Sequence, residues 1–290
     1  MFPQTESGSD PRFPRRYAQA MEAAGYRHLV AYDHVLGHRP DDLEAWLRLG
    51  PYTARDQFHE ILTLFAYLAA CTDRLELATE VLVLPQRTTA VAAKQAAEIA
   101  ILSGGRLRLG VGIGWNPVEF EGLGARFDDR GSRVEEQVGL LRRLLREPVV
   151  TYEGRWHRLV ACGVNPLPPP IPIWMGGSAE AALRRTARIA DGLMLNHGLL
   201  EAPGVIERVR GHLAEVGRDP SGFGFAGRMP LQAGDARGSL EGSLERARRW
   251  RAAGVTHLSI GTMGIGLESP DAHLDLALRF KEAWDAAAGG

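Results

Sequence analysis

The sequence has 290 residues, of which 34 are Lys or Arg and 35 are Asp or Glu, so its formal net charge is -1. This balance removes the electrostatic attraction on which general nucleic-acid or anionic-membrane binding depends, and we expect neither partner. The two cysteines, Cys71 and Cys162, are too few and too far apart for a disulfide framework or a cysteine-rich metal site. The His34 and His38 spacing, without an acidic third ligand, is poor support for a metal site, and we predict no bound metal.

The beginning of the chain predicts no export signal. Residues 1–10 are polar and lack the apolar stretch of a signal peptide. No stretch reaches about 18 uncharged apolar residues, the length that a transmembrane helix needs. We therefore expect a soluble, cytoplasmic protein.

Short apolar runs alternate along the chain with longer segments in which apolar residues recur every three or four positions, a pattern that predicts parallel strands joined by helices. The eight predicted strands cover residues 1–3, 28–33, 75–82, 107–113, 171–175, 192–195, 223–229 and 257–261. The eight predicted helices cover residues 12–24, 57–71, 89–102, 132–145, 179–190, 202–216, 240–253 and 270–287. The sequence therefore predicts an α/β fold, a (β/α)8 TIM barrel, in one domain spanning residues 1–290.

Two irregular stretches, residues 35–56 and 146–170, are longer than ordinary connections. Loops of this length in a compact domain are usually functional, often as lids. The second stretch contains a predicted hairpin with strands at 149–152 and 155–159, and a Pro-rich run follows at 166–172. We interpret both stretches as insertions into the barrel.

The active site of such a barrel lies where the carboxyl ends of its strands pass into the following loops. Four predicted strand ends carry polar or glycine-rich sequence, and we expect the site there. The expected site residues are Asp33, His34, Thr79, Glu80, Val81, Gly112, Gly114, Trp115, Asn116, Gly176, Gly177 and Ser178.

The Gly176-Gly177-Ser178 turn has two interpretations. Residues without a Cβ let a phosphate approach the main chain, and the following helix would present unpaired N–H groups to it. Alternatively, this is an ordinary turn in which Ser178 caps the helix. A second glycine-rich run, residues 110–114, lacks the spacing of a dinucleotide fingerprint. Its Gly112 and Gly114 favour either close approach of a flat ligand or tight packing.

Two ionisable side chains at the strand ends allow chemistry. The His34 ring can exchange hydrogen bonds with a bound heterocycle, while Asp33 orients either that ring or the local backbone; local hydrogen bonds are the alternative. Glu80 interrupts an apolar run, so it either faces a polar barrel mouth or pairs with a buried Arg. Three tryptophans are candidates either to wall a flat cofactor or to fill the core: Trp115, Trp156 and Trp174.

Many spaced segments of the chain together resemble the bacterial luciferase-like monooxygenase superfamily, and within it the coenzyme F420-dependent oxidoreductases. The matching segments are residues 18–25, 31–34, 77–85, 93–95, 102–116, 119–120, 130–131, 173–178 and 190–192. The resemblance implies a TIM-like barrel with an insertion near residues 146–170, assembled as a homodimer.

The same resemblance implies roles for individual residues. His34 is similar to the residue beside the reactive ring of the deazaflavin, and Glu80-Val81 to a non-proline cis peptide that supports the ring. Gly112 and Gly114 are similar to residues of the strand that lies along the cofactor, and residues 176–178 are similar to the turn that binds the cofactor phosphate. One departure is Trp115, which stands where some F420-dependent sugar-phosphate dehydrogenases have an acidic residue, so their substrate and proton-transfer scheme are not carried over.

The resemblance thus implies an F420-dependent oxidoreductase that transfers a hydride between the deazaflavin and a small organic substrate, with His34 as catalytic residue. An FMN-dependent monooxygenase on the same barrel is the alternative. A third possibility is a barrel without catalysis that binds a flavin or serves as an interaction protein.

Overall fold

The computed structural model describes residues 1–39, 52–231 and 236–288. In these ranges the strands are β1 His28–Ala31, β2 Glu76–Thr79, β3 Leu82–Val83, β4 Leu107–Gly112, β5 Val150–Glu153, β6 Arg158–Cys162, β7 Ile173–Gly177, β8 Gly192–Leu195, β9 Gly224–Pro230 and β10 His257–Gly261. The helices are α1 Arg12–Ala23, α2 Ile61–Ala69, α3 Thr89–Leu102, α4 Pro117–Gly122, α5 Arg130–Leu144, α6 Glu180–Ile189, α7 Ala202–Glu215, α8 Ala236–Ala252 and α9 Pro270–Ala288. Short 3-10 turns occupy Gln4–Glu6, Leu84–Gln86 and Pro220–Gly222.

The strands form a parallel sheet in the order β1-β2-β4-β7-β8-β9-β10, and β3 pairs with β4 beyond the end of β2. Between the two outer strands lies the segment 1–3, where the Phe2 N–H donates to Val30 O and the Met1 nitrogen donates to Ile260 O, each at 2.8 Å. The sheet is therefore a nearly closed barrel, and the predicted α/β barrel is confirmed.

The predicted strand at residues 1–3 is wrong as a regular strand, although the segment lies in the expected place. It forms one backbone hydrogen bond to each neighbour, and the turn at Gln4–Glu6 follows immediately. The predicted strand 75–82 is divided into β2 and β3, with Glu80 and Val81 between them.

The apolar core lies between the barrel and its helices. Every residue of β4 is buried, as expected for a strand covered on both faces. Helix α3 turns an alanine-rich face inward, and the small side chains of Ala93, Ala96 and Ala100 let it lie close to the sheet. Inside the barrel, Trp174, Met194 and Ala226 form a separate apolar cluster beneath the carboxyl ends of the strands.

The insertion hairpin is confirmed, with β5 and β6 pairing antiparallel. Its second strand begins at Arg158, three residues later than predicted. His157 fastens the hairpin to the barrel, because its ring lies 2.8 Å from the Glu136 carboxylate and 2.7 Å from the Thr89 hydroxyl. Of the other predicted insertion, 35–56, residues 40–51 lie outside the described part of the chain.

The short helix α4 was not predicted. Its first residue is Pro117, and Asn116 caps it by accepting from the Val118 and Glu119 N–H groups. An Asn cap followed by Pro at the first helical position is a common start. None of the described helices has the combination of length and apolar character that crossing a lipid bilayer requires.

One guanidinium links three elements at the amino-terminal end of the barrel. Arg106 donates to the Ala69, Thr72 and Leu75 carbonyls at 2.8–2.9 Å, and also to the Thr72 hydroxyl and the Ser103 carbonyl. It thereby satisfies the Ala69 carbonyl, which lies at the carboxyl end of α2 and which the helix itself leaves without a partner.

We predict that Arg106→Gln lowers the free energy of unfolding by about 2 kcal/mol, because several charge-assisted hydrogen bonds to carbonyls are lost. Urea unfolding followed by circular dichroism measures the change. Arg15→Gln, at an exposed position of α1, is the matched control and is expected to be neutral. Equal midpoints for the two variants would contradict the assignment.

Candidate functional site

A cavity of about 340 Å³ opens at the carboxyl ends of the barrel strands. Nine expected site residues line it: Asp33, His34, Glu80, Val81, Gly112, Gly114, Trp115, Gly176 and Gly177. A larger cavity of about 660 Å³ lies at the opposite, amino-terminal end of the barrel. We assign the site to the smaller cavity because residues at the carboxyl ends of strands carry the chemistry of such barrels.

The His34 ring is held in an aromatic pocket. Its centroid lies 4.9, 4.8 and 5.5 Å from the ring centroids of Tyr52, Phe58 and Trp115, and 12% of its side chain is exposed. Nδ1 lies 3.5 Å from the Glu119 carboxylate. Within the described ranges the structure gives Nε2 no hydrogen-bond partner. The ring is thus fixed on one side and available to a ligand on the other.

Glu119 is the functional residue that sequence reasoning missed. One of its oxygens accepts from the Val35 and Leu36 N–H groups at 2.5 and 3.1 Å, and the other accepts from Gln86 at 3.1 Å and faces His34. Burial by itself would raise the pKa of Glu119, but these hydrogen bonds, with His34 foremost, lower it below its ordinary value.

A sequence signal for Glu119 existed. It is the third residue of α4, behind the Asn116-Pro117 start, and acidic residues are favoured in the first turn of a helix.

Asp33 supports the backbone rather than the His34 ring. Its buried carboxylate accepts from the Val83 N–H at 2.9 Å and from Arg87 at 2.7 Å, and Arg87 also pairs with Glu60. Burial raises the pKa of Asp33, although Arg87 and the Val83 amide oppose this. The ion pair therefore fixes β3 against the end of β1, which is the second of the two roles considered for Asp33.

Val81 forms a convex wall of the cavity. The Glu80–Val81 peptide bond is cis, as the family resemblance implies. A Cβ on Gly112 would overlap the Val81 side chain, and one on Gly176 would lie 3.2 Å from it. Gly114, with φ of 71°, leaves room for Val83 in the same way. The packing interpretation of these glycines thus holds, and they line the cavity as well.

Glu80 faces the barrel mouth, the first of its two predicted surroundings. Glu80 is 7% exposed and lines the cavity. Among the described residues, one of its carboxylate oxygens is buried without a hydrogen-bond partner. Burial raises its pKa above the ordinary value, although the positive charge of Arg228 opposes the shift. The group can therefore exchange a hydrogen bond with a ligand.

Two expected site residues do not line the cavity because the backbone takes up their polar groups. Thr79 is fully buried, and its hydroxyl donates to the Gly110 carbonyl at 2.6 Å. Asn116 is buried as the cap of α4. Both residues support the framework of the site, and their contact with a cofactor stays a prediction.

Ser178 also lies outside the cavity lining. Helix α6 begins at Glu180 with Ala179 as its cap, and no side chain caps it, so the predicted capping by Ser178 is wrong. The adjacent Gly177 lines the cavity with its main chain.

Of the three tryptophans, Trp115 alone lies at the cavity, where 39% of the residue is exposed. Trp174 is buried inside the barrel with the Arg108 guanidinium 4.4 Å from its ring centroid. Trp156 belongs to the insertion hairpin and donates to Asp129 at 2.9 Å. In the part of the chain that the structure describes, no cluster of three or more His, Cys, Asp or Glu residues could hold a metal ion.

We predict that Glu119→Gln lowers the free energy of unfolding by about 2 kcal/mol at neutral pH. In the variant, an amide NH₂ would face N–H donors that now bind a carboxylate oxygen. Since the folded-state pKa lies below the ordinary value, this stabilisation is present at neutral pH and disappears as the pH falls through the folded pKa.

Urea unfolding at a series of pH values measures the effect, and the two proteins should converge in acid. The expected structural signature is faster amide hydrogen exchange at Val35 and Leu36. Unchanged exchange at these two amides would contradict the role of Glu119.

Comparisons with known proteins identify the family of the chain. The family model described as luciferase-like monooxygenase matches residues 2–272. An uncharacterized protein of Mycobacterium tuberculosis is 37% identical over 207 residues, which cover 68% of this chain and 69% of that protein.

Two characterised relatives use different cofactors according to their names. An F420-dependent glucose-6-phosphate dehydrogenase of Segniliparus rotundus is 30% identical over 229 residues, covering 74% of this chain and 62% of that protein. An FMNH(2)-dependent dimethylsulfone monooxygenase of Pseudomonas fluorescens is 30% identical over 201 residues, covering 68% of this chain and 50% of that protein. The chain thus matches only part of the length of these two relatives.

A solved structure shares the whole fold. An F420-dependent secondary alcohol dehydrogenase in complex with an F420-acetone adduct superposes with a TM-score of 0.78 at 16% identity, covering 96% of both chains. At this identity the likeness extends to the fold alone.

Proposed function

The chain belongs to the luciferase-like monooxygenase family, and we propose that it is a coenzyme F420-dependent oxidoreductase acting on a small organic substrate. The observation that carries the proposal is one cavity in which His34 and Val81 meet the Gly176-Gly177 turn at the carboxyl ends of the strands. The F420-dependent relative supports the same cofactor.

The residues present fit a tricyclic cofactor. Val81 offers a convex apolar wall for one face of the ring, and the missing Cβ atoms of Gly112 and Gly176 make room for that wall. The Gly177 main chain, just before α6, would hold a phosphate. Glu180, in the first turn of α6, pairs with the Arg184 guanidinium at 3.2 Å, which reduces its repulsion of an anion.

When bound, the cofactor supplies or accepts a hydride at a ring carbon. The protein orients the reactants and moves a proton. Because the Glu119 carboxylate can only accept, His34 carries a proton on Nδ1, and Nε2 of the neutral ring is then an acceptor. A protonated ring would donate from Nε2 instead. We therefore assign proton exchange near the reactive edge to Nε2 of His34, with Tyr52, Phe58 and Trp115 excluding water.

FMN is the competing cofactor, because the dimethylsulfone monooxygenase is named for it and the glycine turn suits either phosphate. An FMN-dependent monooxygenase is therefore the second candidate function. Assembly as a homodimer and a cytoplasmic location stay predictions.

We predict that the purified chain binds F420 with a dissociation constant of about 1 μM or below and binds FMN at least tenfold more weakly. Absorbance and fluorescence titrations with each cofactor measure both constants. Tight FMN binding without F420 binding would replace the proposed function by the monooxygenase. Failure of both cofactors to bind would favour a non-catalytic protein.

We predict that His34→Asn lowers turnover with F420 by about 10²-fold, the usual contribution of a positioned acid or base. The F420 dissociation constant and the unfolding midpoint should stay close to those of the parent. His59→Asn, a histidine outside the cavity lining, is the matched control. Steady-state kinetics on a substrate found by screening measures the change, and full activity of His34→Asn would exclude the role.

A further inference from the structure

The 340 Å³ cavity of the candidate site, here called the first cavity, adjoins another cavity of about 420 Å³, here called the second cavity. The second cavity lies at the ends of β8, β9 and β10. The two cavities share five lining residues: Tyr32, Tyr52, Leu195, Asn196 and Arg228. If the first cavity holds the cofactor ring, as the proposed function requires, the second is the adjoining space for the other reactant.

Arg228 stands at the boundary between the two cavities, and the part of the chain that the structure describes offers it no acidic ion-pair partner. Its side chain extends from β9, is exposed, and lies with its guanidinium carbon 5.3 Å from the Tyr32 ring centroid. Among the residues that the structure describes, no carboxylate lies within ion-pair distance of it. By contrast, Arg87 and Arg108 pair with Asp33 at 2.7 Å and Glu76 at 2.6 Å.

Glu80 forms no ion pair with Arg228 among the described contacts, although the charges of the two groups interact. The Glu80 carboxyl lines the first cavity but not the second, and it forms no ion pair in the described ranges. Burial raises the pKa of this carboxyl and so disfavours its charged form. Within the described ranges, Arg228 therefore presents a guanidinium without an ion-pair partner to the second cavity.

Further polar groups surround the same space. Asn196 is exposed at the end of β8, and the neighbouring His197 has an Nδ1 atom that is buried without a hydrogen-bond partner. Leu195 and Met263 provide apolar surface beside them. The guanidinium of Arg228 is a planar group of N–H donors that can bind a carboxylate through two parallel hydrogen bonds. The nearby amide and imidazole groups suit the same ligand.

We propose that the second cavity binds an organic carboxylate and that Arg228 is its anchor, so that the substrate of the proposed oxidoreductase is a carboxylic acid. The assignment of this carboxylate as substrate rests on the proposed function, whereas the binding of the anion does not. Arg228 would fix the non-reacting end of the molecule, and the rest of it would extend across the shared wall toward His34.

The test compares two probes of the same shape, benzoate and benzamide, which differ in charge. Isothermal titration calorimetry measures both with the parent protein, Arg228→Gln, Arg228→Lys and the exposed control Arg15→Gln. We expect benzoate to bind the parent with a dissociation constant of about 1 mM. Arg228→Gln should weaken benzoate at least tenfold and leave benzamide unchanged, Arg228→Lys should have an intermediate effect, and Arg15→Gln should have none.

Titration of Arg228→Gln with F420 and FMN completes the experiment. Because Arg228 also lines the first cavity, we expect the cofactor affinities to fall by less than the benzoate affinity does. A cofactor loss equal to the benzoate loss would assign Arg228 to the cofactor tail and overturn the proposal. Equal benzoate binding by parent and Arg228→Gln, or no benzoate binding by the parent, would also overturn it. If neither cofactor binds the parent while the benzoate difference remains, the proposed function fails and the carboxylate site stands.

Discussion

The candidate site depends on the carboxylate of Glu119. A buried carboxylate is costly unless donors surround it, and here two backbone N–H groups, Gln86 and His34 do so. The donors come from the loop after β1 and from the turn after β3, while Glu119 itself lies on the short helix after β4. One side chain therefore joins three neighbouring strand ends, and the orientation of the His34 ring follows from that junction.

The framework and the reactive groups are contributed by different residues of the same strand ends. Asp33 fixes β3 through Arg87 and a backbone amide, and Thr79 binds the main chain of β4. Next to them in sequence, His34 and Glu80 keep polar atoms directed toward the cavity. A site with a defined ligand geometry needs polar groups that are free to bind the ligand and a rigid framework that holds them in place. The strand ends provide both.

Hydrophobic patterning was sufficient to predict the barrel, because most barrel strands are short buried apolar runs and the long helices bury one repeating face. It could not predict α4, whose six residues are too few to show a period, and Glu119 was overlooked with it. Thr79 and Asn116 were expected in the site because they lie at predicted strand ends. Their actual partners are backbone groups whose positions only the folded chain defines.

The central claim is that a redox cofactor places its ring between Val81 and His34. A crystal structure of the chain with bound F420 tests this most directly. We expect one face of the ring to pack on Val81 and Nε2 of His34 to lie within about 3.2 Å of a polar atom at the reactive edge. A ring bound instead in the 660 Å³ cavity at the amino-terminal end of the barrel would contradict the account.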